Sequence, residues 1–144
     1  MSGLMAQMQD VEVEEIMVEE GELLVLSLGF ASPDDPLDVL HIACGRTRSG
    51  AEPPLLEDLL YLERTDQDLA CDGRAVRALI GHADHVELLL TAEGAAALGF
   101  AACTRFRFAR HPALATEALR LLAEMAAAGQ SQIAVRKAVS PSAT

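Results

Sequence analysis

Two histidines three residues apart, His82 and His85, flank Asp84 in the segment Gly81-His82-Ala83-Asp84-His85. Imidazole nitrogens beside a carboxylate are ligand types that bind zinc, but a tetrahedral shell needs a further ligand cluster, and the chain shows none. The pair therefore reads as two solvated loop histidines, with no metal and no cofactor expected. His41 lies inside an apolar run and reads as a satisfied sheet histidine, whereas His111 precedes Pro112 and suits a helix start. The pairs Glu14-Glu15 and Glu19-Glu20 could divide acid and base roles only if burial split their pKa values, and in so acidic a stretch they are expected to be solvated. Cys44, Cys71 and Cys103 are odd in number, far apart and without a CxxC pair, which argues against a disulfide framework and for small buried hydrophobes. No GxSxG elbow, GxxxxGK[ST] loop or GxGxxG fingerprint occurs. The reading is a non-enzyme with no catalytic residues.

The elements that would position these groups follow from periodicity. Residues 1–10 carry little pattern and read as a flexible start. Apolar and acidic residues largely alternate over 11–18, and 23–30 places Leu24, Leu26, Leu28 and Phe30 on one face, so a hairpin is expected with its turn near Gly21. Residues 31–36 (Ala-Ser-Pro-Asp-Asp-Pro) have loop composition, 37–44 is a strand candidate, and 45–54 reads as an exposed loop. The leucines of 55–63 fit a helical face or a strand, and the pattern leaves both open. Residues 74–80 and 86–90 read as paired strands, Thr91 as the cap of a short helical turn stopped by Gly99, and 104–109 as a strand with Phe106 and Phe108 inward. From Pro112, apolar residues at helical spacing predict an amphipathic helix of about four turns ending near Gly129. The expected architecture is α+β: one domain over 11–128, an antiparallel β-sheet with the C-terminal amphipathic helix packed on one face, and a loose tail over 129–144.

The 144 residues carry a formal charge of −11, placed very unevenly. Residues 1–40 hold ten carboxylates (Asp10, Glu12, Glu14, Glu15, Glu19, Glu20, Glu22, Asp34, Asp35 and Asp38) and no Lys or Arg, which leaves twelve acids against eleven bases elsewhere. That surface repels phosphate, and only 3% of residues are aromatic, so nucleic acid is not the expected partner. The apolar runs fall far short of the roughly 20 residues that a membrane span requires, and the start lacks a basic, apolar leader, so a cytoplasmic protein off the membrane is expected. A basic protein would be steered to the acidic end, and Glu12, Glu14, Glu15, Glu19, Glu20, Glu22, Asp34 and Asp35 are the candidate contact residues.

The segment Leu62-Glu63-Arg64-Thr65-Asp66-Gln67-Asp68-Leu69-Ala70-Cys71-Asp72-Gly73 resembles the Arg-to-Gln-Asp signature of the Immunity protein 10 family. The stretches Val86-Glu87-Leu88-Leu89-Leu90-Thr91, Ala95-Ala96-Ala97-Leu98-Gly99 and Phe106-Arg107-Phe108 resemble its later part, and the chain departs from it at Gly73-Arg74 and Gly81-His82. The resemblance implies an immunity protein of a bacterial polymorphic toxin system, which binds and neutralises a cognate toxin domain without catalysis. Arg64, Gln67, Asp68 and Asp72 match the signature, and their side chains suit a structured turn bonded to nearby backbone amides. Two other classes stand beside this reading: a small non-enzymatic module that oligomerises or binds a small ligand, and a hydrolase using His82 or His85.

Overall fold

The computed structural model describes residues 8–32, 35–45, 60–64 and 69–136. The chain runs through β1 (Met8–Glu20), β2 (Leu23–Ser32), β3 (Asp35–Gly45), β4 (Tyr61–Arg64), β5 (Leu69–Asp72), a 3-10 turn (Gly73–Ala75), β6 (Val76–Gly81), β7 (His85–Leu90), α1 (Ala92–Leu98), β8 (Cys103–Arg107), α2 (Ala113–Ala127) and β9 (Ile133–Val135). The nine strands of the described residues join one sheet in the order β5-β4-β3-β2-β1-β8-β7-β6-β9. The fold is α+β, and the sheet is largely antiparallel rather than wholly so. β1 pairs with β8 in parallel, and β6 with β9. Both parallel joints arise because the chain crosses over before returning, which a two-residue turn cannot achieve.

The hairpin forms where the alternation places it. β1 turns into β2 across Gly21 and Glu22, with the register running from Glu20↔Leu24 to Val13↔Phe30. A bulge between Val13 and Glu15 inserts Glu14 as an extra residue. It lets Val11 and Val13 face inward before it, and Ile16 and Val18 after it, despite the break in alternation. Residues 31–32 and 35–36, read as loop, belong instead to the ends of β2 and β3, whose ladder extends to Ser32↔Asp35. The ambiguous stretch resolves to strand at Tyr61–Arg64, its earlier part lying outside the described residues. Residues 73–75, at the start of the expected 74–80 strand, close a 3-10 turn instead, and β6 follows it.

The helix near the C-terminus spans Ala113–Ala127, and Ala115, Ala118, Leu121, Leu122 and Met125 are its buried residues. They join a single core cluster with Leu24, Leu26, Leu28, Leu40, Ile42, Leu62, Leu79, Leu88 and Phe106 from both halves of the sheet. α1 is capped by the Thr91 hydroxyl, which accepts from Gly94 N at 3.0 Å, and ends at Gly99 with φ 72°. β9 and the first residues of β1 carry regular structure in stretches read as loose. Ile133 inserts into the core, and Arg136 N donates to Gly81 O at 2.7 Å.

Leu121 has no solvent exposure. Leu121→Asp should lower the unfolding free energy by about 3–5 kcal/mol, by stranding a charge and losing the leucine's packing. Urea denaturation followed by circular dichroism measures the loss, and an unchanged midpoint would mean that Leu121 is not a core residue.

Candidate functional site

Of the signature residues, Arg64 is not in an exposed turn. At the end of β4 its side chain points inward and is 10% exposed, facing an Asp38 carboxylate that is fully buried. Arg64 Nε and Nη2 donate to Asp38 Oδ2 at 3.0 and 2.7 Å. Its Nη1 donates to the carbonyls of Leu98 and Gly99, at 2.8 and 3.1 Å, where α1 ends. The guanidinium also lies over the Phe100 ring, 4.3 Å from the centroid, and 5.6 Å from that of Phe30. Asp38 completes its own bonding by accepting from Val39 N at 2.9 Å. Every donor direction of this arginine but one is engaged, so it holds β3, β4 and the end of α1 together. The other partner, Asp38, is the acid that charge counting places on the surface.

Asp72 bonds to nearby backbone. It caps the 3-10 turn by accepting from Arg74 N at 2.9 Å, and the Arg74 guanidinium beside it holds its carboxyl below the usual range. Gln67 and Asp68 lie outside the described residues. Cys71, next in sequence, is pushed up to about 11, first by burial and then by the Asp72 charge. Cys103 is likewise raised by burial and by Glu87, 3.7 Å away. Neither thiol is activated, because a nucleophilic cysteine needs a lowered pKa. His82 and His85 stack with centroids 4.3 Å apart, His82 bonded to Glu87 at 3.0 Å and His85 to Asp84 at 2.7 Å. Among the described residues no group of three or more potential ligands could hold a metal ion. His41 shares a 2.6 Å hydrogen bond with Ser27 across β2 and β3, and the His111 ring meets Glu14 at 3.2 Å.

The acidic hairpin divides into two sets. Glu12 accepts from Arg110 N at 2.7 Å, Glu14 from the Arg110 guanidinium at 2.8 Å, and Glu20 from Arg120 on α2 at 2.7 Å. These three carboxylates fasten the hairpin to residues 110–120 and so are not the free ridge that alternation suggests. Glu15, Glu19 and Glu22 are exposed, with no ion pair among the described residues. Asp35 opens β3, and Asp34 lies outside the described residues.

The remaining acids share a surface with apolar side chains. Core residues occupy one face of β1–β4, and the register lays out the other as three rows: Glu15–Gly29–Val39, Met17–Ser27–His41–Glu63 and Glu19–Val25–Ala43–Tyr61. Met17 (60% exposed), Leu23 (42%), Leu37 (77%) and Tyr61 (45%) all project there. No Lys or Arg projects from this outer face among the described residues of β1–β4, since Arg64 turns inward. Sequence reasoning missed these apolar members, although alternation with Leu24, Leu26 and Leu28 places Leu23 on the outward side. Exposed apolar side chains grouped on one face and rimmed by one sign of charge are the kind of surface that suits a protein partner.

Comparison with protein families, curated proteins and solved structures yields no match to this chain.

Two outcomes follow. Arg64→Met leaves the buried Asp38 carboxylate unpaired and should cost about 3–5 kcal/mol in urea denaturation, whereas the double variant Arg64→Met with Asp38→Leu should lose much less. Equal losses would assign the effect to packing instead of charge. For Cys71, a folded pKa raised from the ordinary thiol value of 9.0 to about 11 contributes stability that is complete below pH 9 and is lost as pH rises toward 11. At pH 8 its alkylation by iodoacetamide should be at least roughly tenfold slower than that of free cysteine, as read by peptide mass spectrometry.

Proposed function

We propose that the chain is a non-catalytic immunity protein that binds a basic toxin domain of a bacterial polymorphic toxin system and neutralises it in the cytoplasm of the producing cell. The observation that carries the binding half of this reading is the outer face of β1–β4, from which no Lys or Arg projects among the described residues and where Glu15, Glu19 and Glu63 stand among Met17, Leu23, Val39 and Tyr61. The toxin half rests on the resemblance over residues 62–73. This reading takes α2 as an amphipathic cover on the opposite face, its buried stripe turned to the core, which leaves the outer face to a partner. Self-association through that face is disfavoured, because it would bring Glu15, Glu19 and Glu63 of two copies together without a counter-charge. The neutralising contact is steric and electrostatic, and no residue of this chain takes part in bond making.

Replacing Glu15, Glu19, Glu22 and Glu63 together with Gln should slow association with the cognate basic toxin domain by roughly tenfold at low salt. Raising salt should slow the unmodified protein toward the same rate. Stopped-flow binding and survival on co-expression of the toxin read the effect. Unchanged association and protection would remove the outer face as the contact.

A further inference from the structure

In the first row of the outer face the middle position lacks a side chain. Gly29 lies between Glu15 on β1 and Val39 on β3, and its neighbours stand up around it. Met17 and His41 form one wall and Leu37 the other, enclosing a groove of about 480 Å³. Its surface is mostly apolar, Leu37 at its mouth is the most exposed of the large apolar side chains, and Glu15 rims it. Of the other acids at the groove, Asp38 is buried against Arg64, and Glu14 is held by Arg110 and His111, so Glu15 is the charge it offers to a visitor. His41 is bonded to Ser27.

We infer that this groove is the anchor pocket of the outer face and takes one large apolar side chain of the partner, flanked by Lys or Arg. The inference rests on the protein-binding reading above and specifies where its contact is centred. An apolar pocket with a carboxylate rim complements that chemistry twice over. The apolar side chain removes Met17, Leu37 and Val39 from water, one flanking cation meets Glu15, and a second reaches Glu19 two rows along. An acidic anchor segment is repelled by the same rim, and a purely basic one leaves the groove empty.

The groove can be filled from the strand beneath it. A Cβ at Gly29 would stand 2.9 Å from Glu15 Cγ, so the Glu15 side chain must shift to admit it, and Leu37→Ser is the companion variant that makes no such demand. A β-branched residue also suits a strand interior better than glycine. The test titrates the ¹⁵N-labelled full chain with the peptides Lys-Lys-Phe-Lys-Lys, Lys-Lys-Ser-Lys-Lys and Glu-Glu-Phe-Glu-Glu. The expected result is amide shifts at Met17, Gly29, Leu37 and Val39 with the first peptide. Binding should be roughly tenfold weaker for the serine peptide, as loss of one buried aromatic implies, and undetectable for the acidic peptide. Gly29→Val and Leu37→Ser should each abolish the difference between the phenylalanine and serine peptides while keeping the native spectrum elsewhere. Equal affinity for those two peptides, shifts centred on Leu23 and Tyr61, or no shift on the outer face would each overturn the groove. The immunity reading is judged separately, by toxin protection. A Gly29→Val chain that still protects fully sinks the groove alone, whereas loss of the groove with loss of protection in the four-Gln variant leaves that reading standing.

Discussion

The pairing of Arg64 with Asp38 is the contact on which the arrangement of this molecule turns. A buried guanidinium is costly unless its donors and charge are met, and here one carboxylate and two helix-end carbonyls meet them. Carbonyls at a helix C-terminus carry partial negative charge, so they add to the field of Asp38. Gly99 makes this possible in two ways. Its positive φ ends α1, and a Cβ there would stand 3.1 Å from Arg64 Nη1. The aromatic group Phe30, Phe100 and Phe106 closes over the site with centroid separations of 5.5 to 5.9 Å. β3 and β4 on one side of the sheet are thereby joined to α1 and β8, which belong to the other.

That contact changes the meaning of the charge asymmetry. Ten acids without a base in residues 1–40 suggest a uniform repulsive ridge, but one of them neutralises Arg64 in the interior, and Glu12, Glu14 and Glu20 reach residues 110–120. The basic groups of the second half therefore act partly as internal counter-ions for the first. Such exposed pairs each contribute only about 0–1 kcal/mol, so their role is to orient the hairpin more than to stabilise it. Asp10 likewise meets Arg105 at 2.8 Å, while Glu15 and Glu19, without an ion pair among the described residues, stand with Glu63 among apolar residues on the outer face.

Much of this architecture was legible from periodicity, because local rules decide it. The β1–β2 hairpin, the Thr91 cap, the stop at Gly99, the inward Phe106 and Phe108 and the helix from Ala113 each depend on neighbours within a few residues. The strand order was not legible, and neither were the parallel joints of β1 with β8 and β6 with β9, which pair residues about a hundred and about fifty positions apart. Arg64 shows the same boundary at one residue. Its place in a turn-like segment suggested local bonds, yet its partners lie 26, 34 and 35 positions away. Asp72, whose partner is two residues on, was read correctly as bonding to backbone.

The bulge at Glu14 is where the core and the candidate contact surface are decided together. Because side chains alternate along a strand, a β1 without the extra residue would send Ile16 and Val18 to the outer face once Val13 had been set inward. Core and exposed sets would exchange over half the strand, and Met17 with Glu15 and Glu19 would turn toward Leu26 and Leu28. One inserted residue restores the phase. Burial of Ile16 and Val18 and display of Glu15, Met17 and Glu19 are consequently one structural decision, made by a two-against-one pairing opposite Phe30 and Gly29. A surface fixed in this way cannot drift in register without unpacking the core beneath it, and a rigid face of that kind loses little conformational entropy when a partner docks.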